Sequence, residues 1–176
     1  MEIDLNGTKQ EYGKKYGMPQ DSYKAVIAGV SEPYMAKAYT EGDEDEEKLR
    51  IDFEVDTDSQ KVIEFEGEAK QKVEIERVPL SMFIRAKISK GSGKYSNSAL
   101  YDVIAILDLH DSLVADMDKL KTDSKYDSVK FAAWLREKAT GKEVKVMVKN
   151  SKNGISRVSE INRLLSKSDK VVEETV

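Results

Sequence analysis

Hydrophobic and polar positions alternate without a break from Leu49 to Asp56: Leu49, Ile51, Phe53 and Val55 on one side, Arg50, Asp52, Glu54 and Asp56 on the other. A period of two over that length predicts a strand with one face in a core and one wet, mostly acidic face. The same period returns at Met82, Ile84, Ala86 and Ile88, set against Phe83, Arg85 and Lys87. It returns again at Val144, Val146 and Val148 in a strand from Glu143 to Lys149, whose outward face is basic through Lys145 and Lys149. A mostly apolar, β-branched run from Tyr23 to Val30 predicts a further strand, closed by Ser31-Glu32-Pro33, with Tyr34 to Tyr39 continuing it after a bend. Lys61 to Phe65 reads as a short paired strand ended by Gly67. Val73, Ile75 and Arg77 begin a long one that Pro79 must interrupt, because proline has no donor for a ladder, so a bulge or an edge position is expected there. Asn153-Gly154 is the expected hairpin turn between Lys149 and the final run from Ile155 to Leu164.

The period changes to that of a helix at Leu100, Val103, Ile104 and Leu107, one apolar stripe that Ser96 or Ser98 can cap. A second helix is predicted from an Asp127 cap through Phe131, Ala132, Trp134 and Leu135 to Gly141, with Trp134 packed inside. The stretch 108–123 between them is polar and broken. The first residues, with Asn6-Gly7, Gly13, Gly17 and Pro19, sustain no period, so 1–21 reads as a flexible arm. Its Tyr12 and Tyr16, beside Lys14 and Lys15, are within reach of a ligand. The segment 166–176 reads as an acidic tail. A single domain over 22–165, mainly β with helices, is therefore expected.

Composition supports a domain of this kind: 176 residues at 39% hydrophobic content supply an ordinary core. With no cysteine there is neither a disulfide nor a thiolate metal site, which suits a reducing interior and makes the cytoplasm the expected location. Glu2 and Asp4 sit at the very start, and no apolar run approaches the roughly 18 residues that span a bilayer, so neither a signal peptide nor a membrane helix is expected.

The net charge of -4 hides a segregation. Residues 40–79 carry -9, including the run Glu41, Asp43, Glu44, Asp45, Glu46 and Glu47, which reads as a mobile loop tip, whereas residues 80–165 carry +6. One acidic and one basic region allow phosphate binding by the second while the first orients the contact. They equally allow two solvated faces of opposite sign.

Catalytic chemistry finds little material. A calcium loop starting at Asp43 would need glycine where Lys48 stands. Lys90-Gly91-Ser92-Gly93-Lys94 departs from a nucleotide-binding P-loop at Ile88, where its first glycine belongs, and at Tyr95, where its hydroxyl residue belongs, so a basic loop touching phosphate transiently fits better. His110 is the one histidine and lies in a polar stretch, where it reads as an exposed turn residue rather than a catalytic base, so nucleophile–base dyads and histidine metal sites have almost no material. No cofactor and no metal are expected. Glu143-Val144-Lys145 has the spacing of a magnesium-dependent nuclease, an open alternative for so carboxylate-rich a chain, but has no acidic partner nearby in sequence.

Three strands, a helical insertion and a two-stranded hairpin follow one another in the order of an OB-fold, a five-stranded barrel with its helix between strands three and four. The strand ending Phe83 to Ile88, the Ser/Gly loop, the serine-capped helix from Ser96 to Leu107, the opening Gly141-Lys142-Glu143-Val144 and the Asn153-Gly154 hairpin give the stretch from Ser22 to Leu164 its resemblance to OB-fold single-stranded-DNA-binding proteins of phages and other mobile replicons. The resemblance implies an accessory of DNA replication or recombination, with weak sequence preference, whose partner is single-stranded DNA or RNA and whose partners include other replication proteins. It implies a groove across strands two and three holding Phe83, Arg85 and Lys87, with Lys149, Lys152 and Arg157 from the last hairpin. Lys90, Lys94 and Lys145 join the expected nucleic-acid-binding set by charge and exposure. An aromatic flanked by cations on a sheet face can stack a base and hold a phosphate. The acidic loop Glu41 to Glu47 departs from the family pattern, since it falls where the family carries a binding loop. The competing expectation is a non-enzymatic interaction or structural module, such as a virion or assembly component, whose two charged regions mate with other chains.

Overall fold

The alternating segments become antiparallel strands in a computed structural model, which describes residues 14–37, 41–42, 44–88, 91 and 98–164. The elements are β1 (Lys14–Gly17), β2 (Ser22–Val30), β3 (Tyr34–Ala36), β4 (Glu46–Asp56), β5 (Val62–Glu66), β6 (Ala69–Val73) and β7 (Arg77–Arg85). There follow α1 (Ala99–Ile106), α2 (His110–Asp116), a 3-10 turn (Met117–Leu120), β8 (Lys121–Thr122), β9 (Lys125–Tyr126), α3 (Ser128–Ala139), β10 (Glu143–Asn150) and β11 (Ser156–Asn162). The protein is mainly β, with three α-helices among the described residues.

The main sheet runs β11-β10-β2-β4, and β4, the longest strand, then pairs with both β3 and β7. Its two ends, β7 and β11, lie beside each other without a hydrogen-bonded ladder between them. Inward positions of β4, β7 and β10 pack into one continuous core with α1 and α3: Phe53, Leu49, Ile51, Val78, Leu100, Ile104, Phe131, Leu135 and Val144 are all fully buried. At ~25 cal/mol per Å² of apolar area, this cluster is the main source of stability.

The helices form where the stripes predict. Ser98 caps α1, its hydroxyl accepting from the Tyr101 amide, and Asp127 caps α3, accepting from the amides of Val129 and Lys130. Gly141, at φ 90°, turns the chain out of α3 into β10. Arg136 of α3 donates its Nε to the Val30 carbonyl (2.7 Å), tying the helix to the end of β2. No helix among the described residues is long and apolar enough to cross a membrane.

Four local readings change. The long strand expected to begin at Val73 begins at Arg77, Val73 instead ending β6; of the bulge or edge position expected at Pro79 the second is found, with Pro79 opposite Glu54 in a continuous β7. The bonds Thr57 N to Glu76 O and Ala86 N to Glu47 O set the parity of the β4–β7 ladder. By that parity Pro79 falls at a non-hydrogen-bonded pair and its missing donor faces away from β4, which is the edge position proline tolerates. The polar stretch 108–123 is more ordered than its composition predicts, since buried Leu113 and Leu120 anchor α2 and the 3-10 turn. The acidic run is partly strand, because Glu46 and Glu47 extend β4 against Ala36 and Met35. Within the expected N-terminal arm, residues 14–21 are packed: β1 pairs with β5, and Met18 is buried, its amide donating to Ser156 Oγ (2.9 Å). Residues 1–13 and the expected tail 166–176 lie outside the described residues, as does Leu165.

Candidate nucleic-acid interface

Across β4 and β7, outward side chains meet in register: Lys48 opposite Arg85, Arg50 opposite Phe83, Asp52 opposite Ser81 and Glu54 opposite Pro79. These are non-hydrogen-bonded pairs, the kind that brings side chains closest together. A concave surface of about 590 Å³ opens over the middle of this face. Its floor carries Arg50, Asp52, Ser81 and Phe83; β1 supplies Lys14, Lys15 and Tyr16 to its border, and the β10–β11 hairpin supplies Ser151, Ile155 and Arg157.

Phe83, a large aromatic, leaves 54% of its surface exposed here. Opposite it, Arg50 grips Asp52 with two bonds, Nε to Oδ1 at 2.7 Å and Nη2 to Oδ2 at 3.1 Å. Ser81 adds a third bond to Asp52, from Oγ to Oδ1 at 2.8 Å. The fork holds the guanidinium plane in place and spends much of the Asp52 charge locally. Tyr16, partly buried at the border, has its phenol held above the ordinary tyrosine range by burial and by Glu64, so it stays neutral and able to donate. Lys14 is paired with Glu64 at 3.8 Å, so Lys15 and Arg157 against Glu54 leave the rim with a small positive excess.

The border is built by close packing. Gly17 ends β1 directly against the backbone of Gly154 in the hairpin turn. Ser156 Oγ bonds to Met18 and Asn150, and the Asn150 amide reaches the Met18 carbonyl at 3.0 Å, so β1 and the hairpin are held as one wall.

Of the residues singled out from sequence, Phe83 and Arg157 meet in this concavity. Arg85 does not line it, being drawn toward the start of β4 by Glu46, with Nη2 to Oε1 at 2.9 Å and Nε to Oε2 at 3.0 Å. Lys87 is exposed past the end of β7, and Lys152 is exposed in the hairpin turn without lining the surface. Lys145 and Lys149 project from the outer face of β10. Lys90 and Lys94 lie outside the described residues. Arg50 is not singled out by the linear pattern, because its partner Phe83 is fixed by strand register, and Lys14, Lys15 and Tyr16 fall in the stretch whose lack of a period predicts an arm.

Glu143, the carboxylate of the nuclease-like spacing, is exposed opposite Val26. No group of three His, Asp or Glu side chains converges as a metal site among the described residues. His110 begins α2 at the surface, edge-on to Tyr101 with ring centroids 6.4 Å apart. No protein-family model, no curated protein and no solved structure matches this chain.

Proposed function

We propose that this protein binds single-stranded nucleic acid, DNA or RNA, with little sequence preference, across the outer face of β4 and β7. The observation that carries the reading is the exposed Phe83 ring beside the immobilised Arg50 guanidinium, with Lys14, Lys15 and Arg157 on the rim. A base stacks on a ring whatever its identity, and cations follow the sugar–phosphate chain, so the site reads a backbone and a π-face rather than a sequence.

We infer further that β2, β4, β7, β10 and β11 form an OB-type barrel with 99–139 as the insertion between its third and fourth strands. The pairings β2–β4, β4–β7, β10–β2 and β10–β11, with β7 beside β11, support this. In that architecture the groove for single strands crosses the second and third strands, which is where Phe83 and Arg50 stand. A role as an accessory of replication or recombination goes with this reading.

The test is fluorescence anisotropy of a labelled single-stranded oligonucleotide at low and moderate salt, with a duplex of the same sequence as control. The expected result is binding that prefers the single strand and weakens with salt. Absence of binding at low salt overturns the proposal.

A further inference from the structure

We propose that the outer face of β10, with its neighbours β2 and β11, is a second phosphate-binding surface that takes the same strand as it leaves the groove. This rests on the nucleic-acid reading above and extends its footprint.

The register of the sheet sets like charges side by side. Lys145 stands opposite Lys24 of β2, and Lys149 stands opposite Arg157 of β11. The bonds Val148 N to Asp21 O and Ile27 N to Lys142 O fix the parity of the β10–β2 ladder and put Lys24 and Lys145 at a non-hydrogen-bonded pair, the closer of the two kinds. Like charges directly opposite each other destabilise a sheet. All four side chains are exposed, and none has an ion-pair partner among the described residues. The carboxylates near this face, Glu143 of β10, Glu160 of β11 and Glu54 of β4, stand opposite Val26, Met147 and Val26, and none of them forms an ion pair with the four.

A polyanion relieves this repulsion, and a flexible one reaches it from the groove without leaving the surface. Arg157 makes the connection, since it lines the concavity and also pairs across the ladder with Lys149. From there the cations step along one face through Lys149 and Lys145 to Lys24. No exposed aromatic of the strands accompanies them: the neighbouring outward positions are Ser22, Met147 and Asn162. The face therefore suits phosphates rather than stacked bases.

The experiment compares wild type with the triple variant Lys24→Gln, Lys145→Gln and Lys149→Gln. Anisotropy is measured with labelled oligothymidylates of about 6 and about 16 nucleotides, lengths that bracket the footprint of one such module. The short oligomer is expected to bind both proteins equally. The long one is expected to bind the variant at least about tenfold more weakly, with its log–log salt slope smaller by about 2, at roughly 0.7 per lost phosphate contact on a single strand. Unchanged affinity and slope on the long oligomer, or equal losses on both lengths, overturn the second surface while the groove stands. If wild type binds neither length, it is the groove that fails.

Discussion

The α-carbon of Gly17 rests against the carbonyl of Gly154, so the end of the first strand and the tip of the last hairpin occupy adjoining space with no room for a side chain between them. A methyl group at Gly17 would overlap that backbone oxygen and crowd the Phe65 ring. Gly17→Ala is expected to cost about 1–3 kcal/mol in denaturant unfolding, the range for forced overpacking. It should also weaken oligonucleotide binding by displacing Lys14 and Lys15, which the same strand carries. Unchanged stability would mean that this approach is looser than described.

Phe83 should separate binding from folding. Its ring is more than half exposed, so Phe83→Ala is expected to alter stability by no more than about 0.5 kcal/mol. Loss of one stacked base at about 1–3 kcal/mol corresponds to a drop in affinity of roughly one to two orders of magnitude. Equal affinity of variant and wild type in the anisotropy titration would remove Phe83 from the site.

Ser156 is a buried hydroxyl with a structural task. It accepts from the Met18 amide at 2.9 Å and lies within bonding distance of Asn150 Oδ1. Ser156→Ala leaves that amide unsatisfied in a buried place, which costs about 1–3 kcal/mol. A lower urea midpoint with an unchanged slope is the expected signature.

Two aspartates link stability to acid. The Asp116 carboxyl is held below the usual range, first by the Trp134 indole, whose Nε1 donates to Oδ2 at 2.9 Å, and also by Lys119. Asp127 is lowered by the Thr122 hydroxyl and by the amides it caps. Because each folded pKa lies below the unfolded value of about 3.9, the ionised forms stabilise the fold above that pH, and the benefit is lost as pH falls through the folded values. Thermal midpoints between about pH 6 and pH 2 should therefore fall more steeply for wild type than for Asp127→Asn, which keeps the cap and removes the titration. In Trp134→Phe, NMR titration should place Asp116 back toward the ordinary range.

What the sequence disclosed follows from which segments have one wet and one dry face. β4, the second half of β7, β10, α1 and α3 each bury a single side, so their periods and caps were legible. β6 was hidden, because Ala69, Lys70, Gln71 and Lys72 are exposed all along it and only pairing with β5 makes it a strand. β1 was hidden for the same reason: Lys14–Gly17 has no period of its own, and its order comes from β5 and the hairpin. α2 buries one residue, Leu113, too few to announce a helix. Within the candidate site, Phe83 was legible as an aromatic on an outward face. Its apposition to Arg50 and the diversion of Arg85 to Glu46 depend on register and on a carboxylate far along the chain, neither of which a linear reading supplies.

Pro79 borders the concavity, and the donor it lacks would point away from β4, to the side on which β11 lies beside β7 without a ladder. A strand edge beside a groove ordinarily offers a ladder of amide donors onto which an extended peptide can zip. At Pro79 that ladder lacks a rung, so an entering polypeptide meets an interruption where it would need main-chain pairing. A missing rung of this kind is one of the devices by which a strand edge is made a poor template for pairing with another chain.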